Sequence, residues 1–141
     1  MGLYSSEDSV GVAVEFRREE LALSSEAIRP DGVVIREIDP RELKERVEGG
    51  DSLVLVDVRE PFEQAMLDLP DYGQRLIPVK EIPSAGSELD PESEIVLYCR
   101  SGMRSAWAAE RLLEMGFPRV LNLKGGINGW KAEVDPSIGS Y

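Results

Sequence analysis

EIVLYCRSGMRSA, residues 94–106, decides how this chain is read. Ile95 to Tyr98 form a continuous apolar run of the kind found in a strand buried on both faces of a parallel sheet. Cys99, the only cysteine in the chain, ends the run, and two arginines, two serines and a glycine follow. Beyond them Ala106, Ala109, Leu112 and Leu113 recur at helical spacing, with Glu110, Arg111 and Glu114 expected elsewhere on the helix. Gly116 and Pro118 predict its end after about three turns. The stretch therefore reads as strand, loop and helix, with a thiol at the carboxyl end of the strand.

Upstream, LVLVDV (53–58) is a second buried-strand pattern, broken at Asp57-Val58-Arg59-Glu60, where Pro61 opens a short helix through about Met66. VVIREIDP (33–40) is a β-branched strand running into a helix start. Asp39 is the expected N-cap, Pro40 takes N1, and Glu42 completes a capping box, with Ile38 and Leu43 at the hydrophobic-staple positions. Leu43 and Val47 continue the apolar stripe until Gly49-Gly50. DLPDYGQRLIPV (68–79) predicts a loop entering a short strand near 76–79, and EIPSAGSELDPES (81–93) predicts turns with one helical turn. RVLNL (119–123) is a last strand, followed by KGGINGW (124–130) and a terminal turn. Strands alternating with helices predict an α/β fold, a mostly parallel sheet with helices on both sides. Ligands of such sheets gather outside the carboxyl ends of the strands, where Asp57, Arg59 and Cys99 all fall. Residues 1–32, with a strand-like VGVAVEF (10–16), read as an arm, a small hairpin or a linker. Pro30-Asp31-Gly32 marks the boundary of a domain over 33–135, leaving 136–141 as a tail.

A chain of 141 residues suits one such domain. Sixteen Lys plus Arg against 27 Asp plus Glu, a net charge of −11, argue against nucleic acid and anionic membrane as partners. The acidity serves solubility or forms a face for a basic partner. No apolar segment approaches the roughly 20 residues that span a bilayer, and MGLYSSEDSV lacks the features of a signal peptide. Together with the single cysteine this points to a reducing, cytoplasmic setting. Gly2 and Ser6 match a myristoylation pattern, but no polybasic run follows to supply a second membrane signal, so acylation is not expected. One cysteine and no histidine build neither an ordinary zinc site nor a Cys–His couple, so no metal or organic cofactor is expected.

An unperturbed thiol, with a pKa near 8.5, is mostly protonated at neutral pH, so a nucleophilic Cys99 needs surroundings that favour the thiolate. The loop supplies three. Arg100 and Arg104 carry permanent charge, the turn at Gly102 aims backbone N–H groups inward as an anion nest, and the helix from Met103 presents the positive end of its dipole. Ser101 and Ser105 add hydroxyl donors. The bland alternative is a buried cysteine acting as a small hydrophobe.

CRSGMRS at the end of EIVLYC, LVDVREPFE before it and LKGGINGW after it resemble, in order and spacing, the rhodanese-like sulfurtransferases, over about residues 33–135. DYGQRLIPVKEIP and the terminal EVDPSIGSY are similar to the rhodanese domain at the carboxyl end of adenylyltransferase/sulfurtransferase proteins. The resemblance implies a three-layer α/β fold. It also implies a persulfide-forming Cys99, a sulfur-cradling loop of Arg100, Ser101, Gly102, Met103, Arg104 and Ser105, and a flanking pair, Asp57 and Arg59, that either contacts substrate or braces the loop. Gly125, Gly126 and Trp130 are then architectural. The implied donor is thiosulfate or a protein persulfide, and the implied partners are a ubiquitin-like sulfur-carrier protein and its adenylating enzyme. DYGQRLIPVKE (71–81) departs from the histidine-bearing stretch common at this place, so donor preference does not carry over. Two other readings stay open. One is a cysteine-dependent phosphatase or arsenate reductase, although Cys99 to Arg104 is one residue shorter than the C-x5-R of those enzymes; the other is a rhodanese-like module that binds partners without turnover.

Overall fold

β5 (Glu94–Tyr98) lies inside the sheet, between β6 (Val120–Leu123) and β3 (Leu53–Asp57), which is why its residues are apolar on both faces. The computed structural model describes the backbone of residues 25–28 and, in full, residues 34–139. Its other elements are β1 (Ser25–Ile28), β2 (Val34–Ile38), α1 (Pro40–Glu48), α2 (Pro61–Met66), β4 (Arg75–Leu76), α3 (Ile82–Ala85), α4 (Met103–Glu114) and α5 (Gly126–Glu133). The sheet order is β1-β2-β6-β5-β3-β4. The five strands from β2 to β4 are parallel, and β1 pairs antiparallel with β2, Ser25 opposite Glu37 and Ile28 opposite Val34. β1 adds residues 25–28 to the edge of the sheet, whereas VGVAVEF and Pro30-Asp31-Gly32 lie outside the described residues.

Alternate residues of the inner strands feed two cores. Val56, Ile95, Leu97 and Val120 meet Ile82 of α3 and Ala108, Ala109 and Leu112 of α4 on one face. Leu55, Val96, Tyr98, Leu121 and Leu123 meet Leu43 of α1 and Ile127 and Trp130 of α5 on the other. The result is the expected three-layer α/β fold, helices on both sides of a mostly parallel sheet. No helix among the described residues is long and apolar enough to cross a membrane.

Three local expectations need correcting. Asp39 is the N-cap of α1 and Pro40 opens the helix, but the capping-box hydrogen bond is absent. Glu133 of α5 is the neighbour of the Asp39 carboxyl, whose proximity holds the Glu133 carboxyl above its usual range. The buried face of α4 is Ser105, Ala108, Ala109, Glu110 and Leu112, while Leu113 is 38% exposed. The small alanines let α4 settle along the 105/108/109/112 stripe, which turns Leu113 to the edge and carries Glu110 inward beside Arg111. Finally, residues 126–133 form a helix rather than a turn. Gly126 and Gly129 weaken its intrinsic propensity, but both are required by close packing: a Cβ on Gly129 would stand 2.5 Å from the Lys124 carbonyl oxygen.

Candidate active site

Cys99 follows β5 at its carboxyl end, and its side chain points toward the α4 face, 2% exposed, beside Val58, Leu97 and Ala108. It is not enclosed by hydrocarbon alone. The backbone N–H of Gly102 donates to Sγ at 3.1 Å, and the Ser105 hydroxyl oxygen lies 3.4 Å from it. Burial pushes the thiol up. Hydrogen bonds from the Ser105 hydroxyl and from the backbone N–H groups of Ser105, Gly102 and Ser101 outweigh that effect and leave Cys99 below the ordinary thiol value.

The amides face the sulfur because the carbonyls are held outside. In a trans peptide the C=O and the next N–H point in opposite directions. The Cys99 carbonyl accepts from Ile127 N–H and the Arg100 carbonyl from Asn128 N–H, each at 3.0 Å, at the start of α5. The Gly102 carbonyl accepts from Ala106 N–H and from Asn122 Nδ2, each at 3.1 Å. The Arg100 restraint aims the N–H that follows it, that of Ser101, at the sulfur. Two glycines make this geometry accessible. Gly102 turns the chain into α4 at φ +108°, a conformation that side chains disfavour. Gly126 brings α5 so close that a Cβ would stand 2.4 Å from the Cys99 carbonyl oxygen.

The loop side chains divide by exposure. Arg100, Ser101 and Met103 are exposed, Arg104 and Gly102 half-buried, and Ser105 buried. Arg104 binds Glu63 of α2 with two prongs, Nη1 to Oε2 at 2.7 Å and Nη2 to Oε1 at 2.9 Å. That pairing is the first cause of a Glu63 carboxyl held below its usual range. The thiolate is therefore favoured chiefly by hydrogen bonds, with the Arg104 charge engaged by Glu63. Val79, Lys80, Met103, Arg104 and Trp107 line an open groove of about 380 Å³ beside the loop. A cleft of about 410 Å³ between β2, α1 and β6 contains none of the loop residues.

Asp57 and Arg59 end on the other face of the sheet. Asp57 is in register with Tyr98, whose side chain packs on the α1 and α5 side. Both members of the pair are 0% exposed. Arg59 Nε donates to Asp57 Oδ1 at 2.9 Å and Nη2 to Oδ2 at 2.8 Å, with further bonds to the Leu67 carbonyl and Asp68. Tyr98 joins through its hydroxyl on Asp68 at 2.7 Å. In this arrangement Arg59 joins the end of β3 to the segment after α2, and its guanidinium has no surface left for a solute. Two residues of the site were not singled out from sequence. Glu63 stood in the LVDVREPFE segment, three residues after the helix-starting Glu60. Asn122 was visible only as a polar residue inside the RVLNL strand.

Comparison with known proteins places the chain by sequence and fold. Residues 39–133 match the model of the rhodanese-like domain. A sulfurtransferase of Allochromatium vinosum is 41% identical over 105 residues, covering 74% of this chain and 96% of that one. The probable adenylyltransferase/sulfurtransferase MoeZ of Mycobacterium tuberculosis is 36% identical over 106 residues, 74% of this chain but only 26% of its own length. Among solved structures, the human single-domain sulfurtransferase TSTD1 superposes with a TM-score of 0.62 at 25% identity, covering 69% of this chain and 96% of that one. With a matching domain over two-thirds of its length and a cysteine cradle at the end of the central strand, the chain belongs to the rhodanese-like family.

Proposed function

We propose that this chain is a sulfurtransferase that carries sulfane sulfur as a Cys99 persulfide. The observation that carries the reading is the inward Gly102 N–H on Sγ, with the carbonyls of Cys99, Arg100 and Gly102 all bonded elsewhere. Such a nest stabilises an anionic sulfur, whether thiolate or the terminal sulfur of a persulfide. With thiosulfate as donor, the thiolate attacks the outer sulfur. The Cys99 S–S bond forms as the bond to the sulfonate sulfur breaks, and that electron pair leaves with sulfite. A thiophilic acceptor then attacks the terminal sulfur and the pair returns to Sγ; cyanide leaves as thiocyanate. Neither half needs an external oxidant or reductant. A protein persulfide serves equally as donor. The likeness to MoeZ, which combines adenylyltransferase and sulfurtransferase in its name, supports a sulfur-carrier protein as acceptor.

Intact-mass measurement tests this reading. Incubation with thiosulfate adds one sulfur to the wild-type chain, cyanide removes it, and Cys99→Ser shows neither change. A chain that never gains the sulfur, yet hydrolyses an aryl phosphate through Cys99, overturns it.

A further inference from the structure

Asn122 stands inside β6, its side chain buried on the α4 face and its backbone in register with Leu97. Leaving a buried amide without partners is costly, so its bonds carry information. Nδ2 donates to the Gly102 carbonyl at 3.1 Å, and Oδ1 accepts from the Ser105 hydroxyl at 2.5 Å. The same Ser105 oxygen lies 3.4 Å from Cys99 Sγ. A hydroxyl has one proton to donate. It goes to the Asn122 oxygen or to sulfur, not to both.

We infer that Asn122 is a positioning residue for the reactive sulfur, through a Ser105 proton shared between its side-chain oxygen and Cys99 Sγ and through its grip on the Gly102 carbonyl. While Cys99 is a neutral thiol, its S–H faces the Ser105 oxygen and the hydroxyl donates to Asn122. When the thiol proton leaves to solvent, or the sulfur becomes a persulfide anion, the hydroxyl rotates and donates to sulfur. Ser105 keeps its proton throughout, and Asn122 Oδ1 gives up one hydrogen bond. The 2.5 Å contact to Asn122 lies at the short end of the O–H···O range, which puts the resting proton on the Asn122 side. The amide group meanwhile holds the Gly102 carbonyl, and with it the Gly102–Met103 peptide, in place. The charged groups nearest the loop are Arg100 and Arg104 on its own segment and Glu63 of α2.

The inference refines the sulfur-transfer reading but is tested without any transfer, by the pH midpoint of Cys99 alkylation with iodoacetamide. Asn122→Asp keeps the shape, loses the NH2 donor to Gly102 and holds the Ser105 proton more firmly. Its midpoint rises by about one unit, a roughly tenfold slower reaction at pH 7. Ser105→Ala also raises the midpoint, and the double variant rises by less than the sum because the shared proton is gone. A wild-type midpoint in folded Asn122→Asp, or fully additive shifts, overturns the inference. Should Asn122→Asp fail to fold, Asn122→Leu serves: several-fold faster amide hydrogen exchange at Met103 is expected, and unchanged exchange overturns the grip on Gly102. A chain with these shifts that takes up no sulfur leaves Asn122 in its role and defeats the sulfur-transfer reading; sulfur uptake without the shifts does the reverse.

Discussion

Glu63 and Arg104 meet in a two-pronged ion pair, 2.7 and 2.9 Å, that ties the helix after β3 to the first turn of the helix after the cysteine loop. The pair spans 41 residues of sequence and sits at the rim of the loop. Glu63 Oε2 also accepts from the backbone N–H of Glu60 at 3.1 Å, so one carboxylate caps α2 and anchors α4 together.

Breaking that pair lowers stability. Charge-assisted bonds of this geometry are strong, but Arg104 is 36% exposed and solvent screening keeps the expected loss in Glu63→Gln at about 1–2 kcal/mol by urea unfolding. Glu63 is more acidic in the folded chain than in the unfolded one, so its contribution is complete above the ordinary carboxylate range and disappears as the pH falls through the lowered value. The gap between wild type and Glu63→Gln is therefore widest at neutral pH and closes as the pH falls through the lowered Glu63 value. A gap constant with pH contradicts this.

Cys99 has the same sign in a different range. Its thiol is lowered on folding, so between the lowered and the ordinary value the unfolded chain binds more protons, and stability rises with pH there. Relative to Cys99→Ser, the wild-type urea midpoint climbs as pH rises through this interval and levels off above about 8.5.

Asp57 and Arg59 separate bracing from substrate contact. Removing one member leaves a buried, unmatched partner, and Asp57→Asn or Arg59→Leu is expected to lose about 3–5 kcal/mol. Whatever remains folded has an unchanged half-saturating thiosulfate concentration. A raised one with stability preserved assigns the pair to substrate instead.

Gly126→Ala tests the outer restraints. The added Cβ meets the Cys99 carbonyl oxygen at 2.4 Å and the Arg100 carbonyl oxygen at 2.7 Å, at a positive φ of +59°. Backbone must shift, and the carbonyls that shift are those whose restraint turns the amides inward. Sulfur transfer per folded molecule falls at least about tenfold, the equivalent of losing one good charge-assisted hydrogen bond.

What was legible in the chain was what local pattern encodes. The runs at 53–58, 94–99 and 119–123 became β3, β5 and β6 because strands buried on two faces are apolar throughout. Pro61 began α2, and Met103 began α4 behind Gly102. What stayed hidden depends on distant partners. Asn122 acts on Ser105 from 17 residues away and Glu63 on Arg104 from 41, separations at which no periodicity connects residues. Helix α5 was obscured by Gly126 and Gly129, chosen for packing against backbone at the expense of helix propensity. Asp39 had the right neighbours for a capping box, yet its side chain makes no cap hydrogen bond.

The grip of α5 on the Cys99 and Arg100 carbonyls also sets the moment at which the sulfur awakens. Ile127 and Asn128 leave the ribosome after the whole of β5, the loop and α4, so a growing chain lacks the restraints on the Cys99 and Arg100 carbonyls until α5 docks. In refolding, fast alkylation of Cys99 is expected only once α5 has docked, so its onset times the closing of the layer that α5 shares with α1.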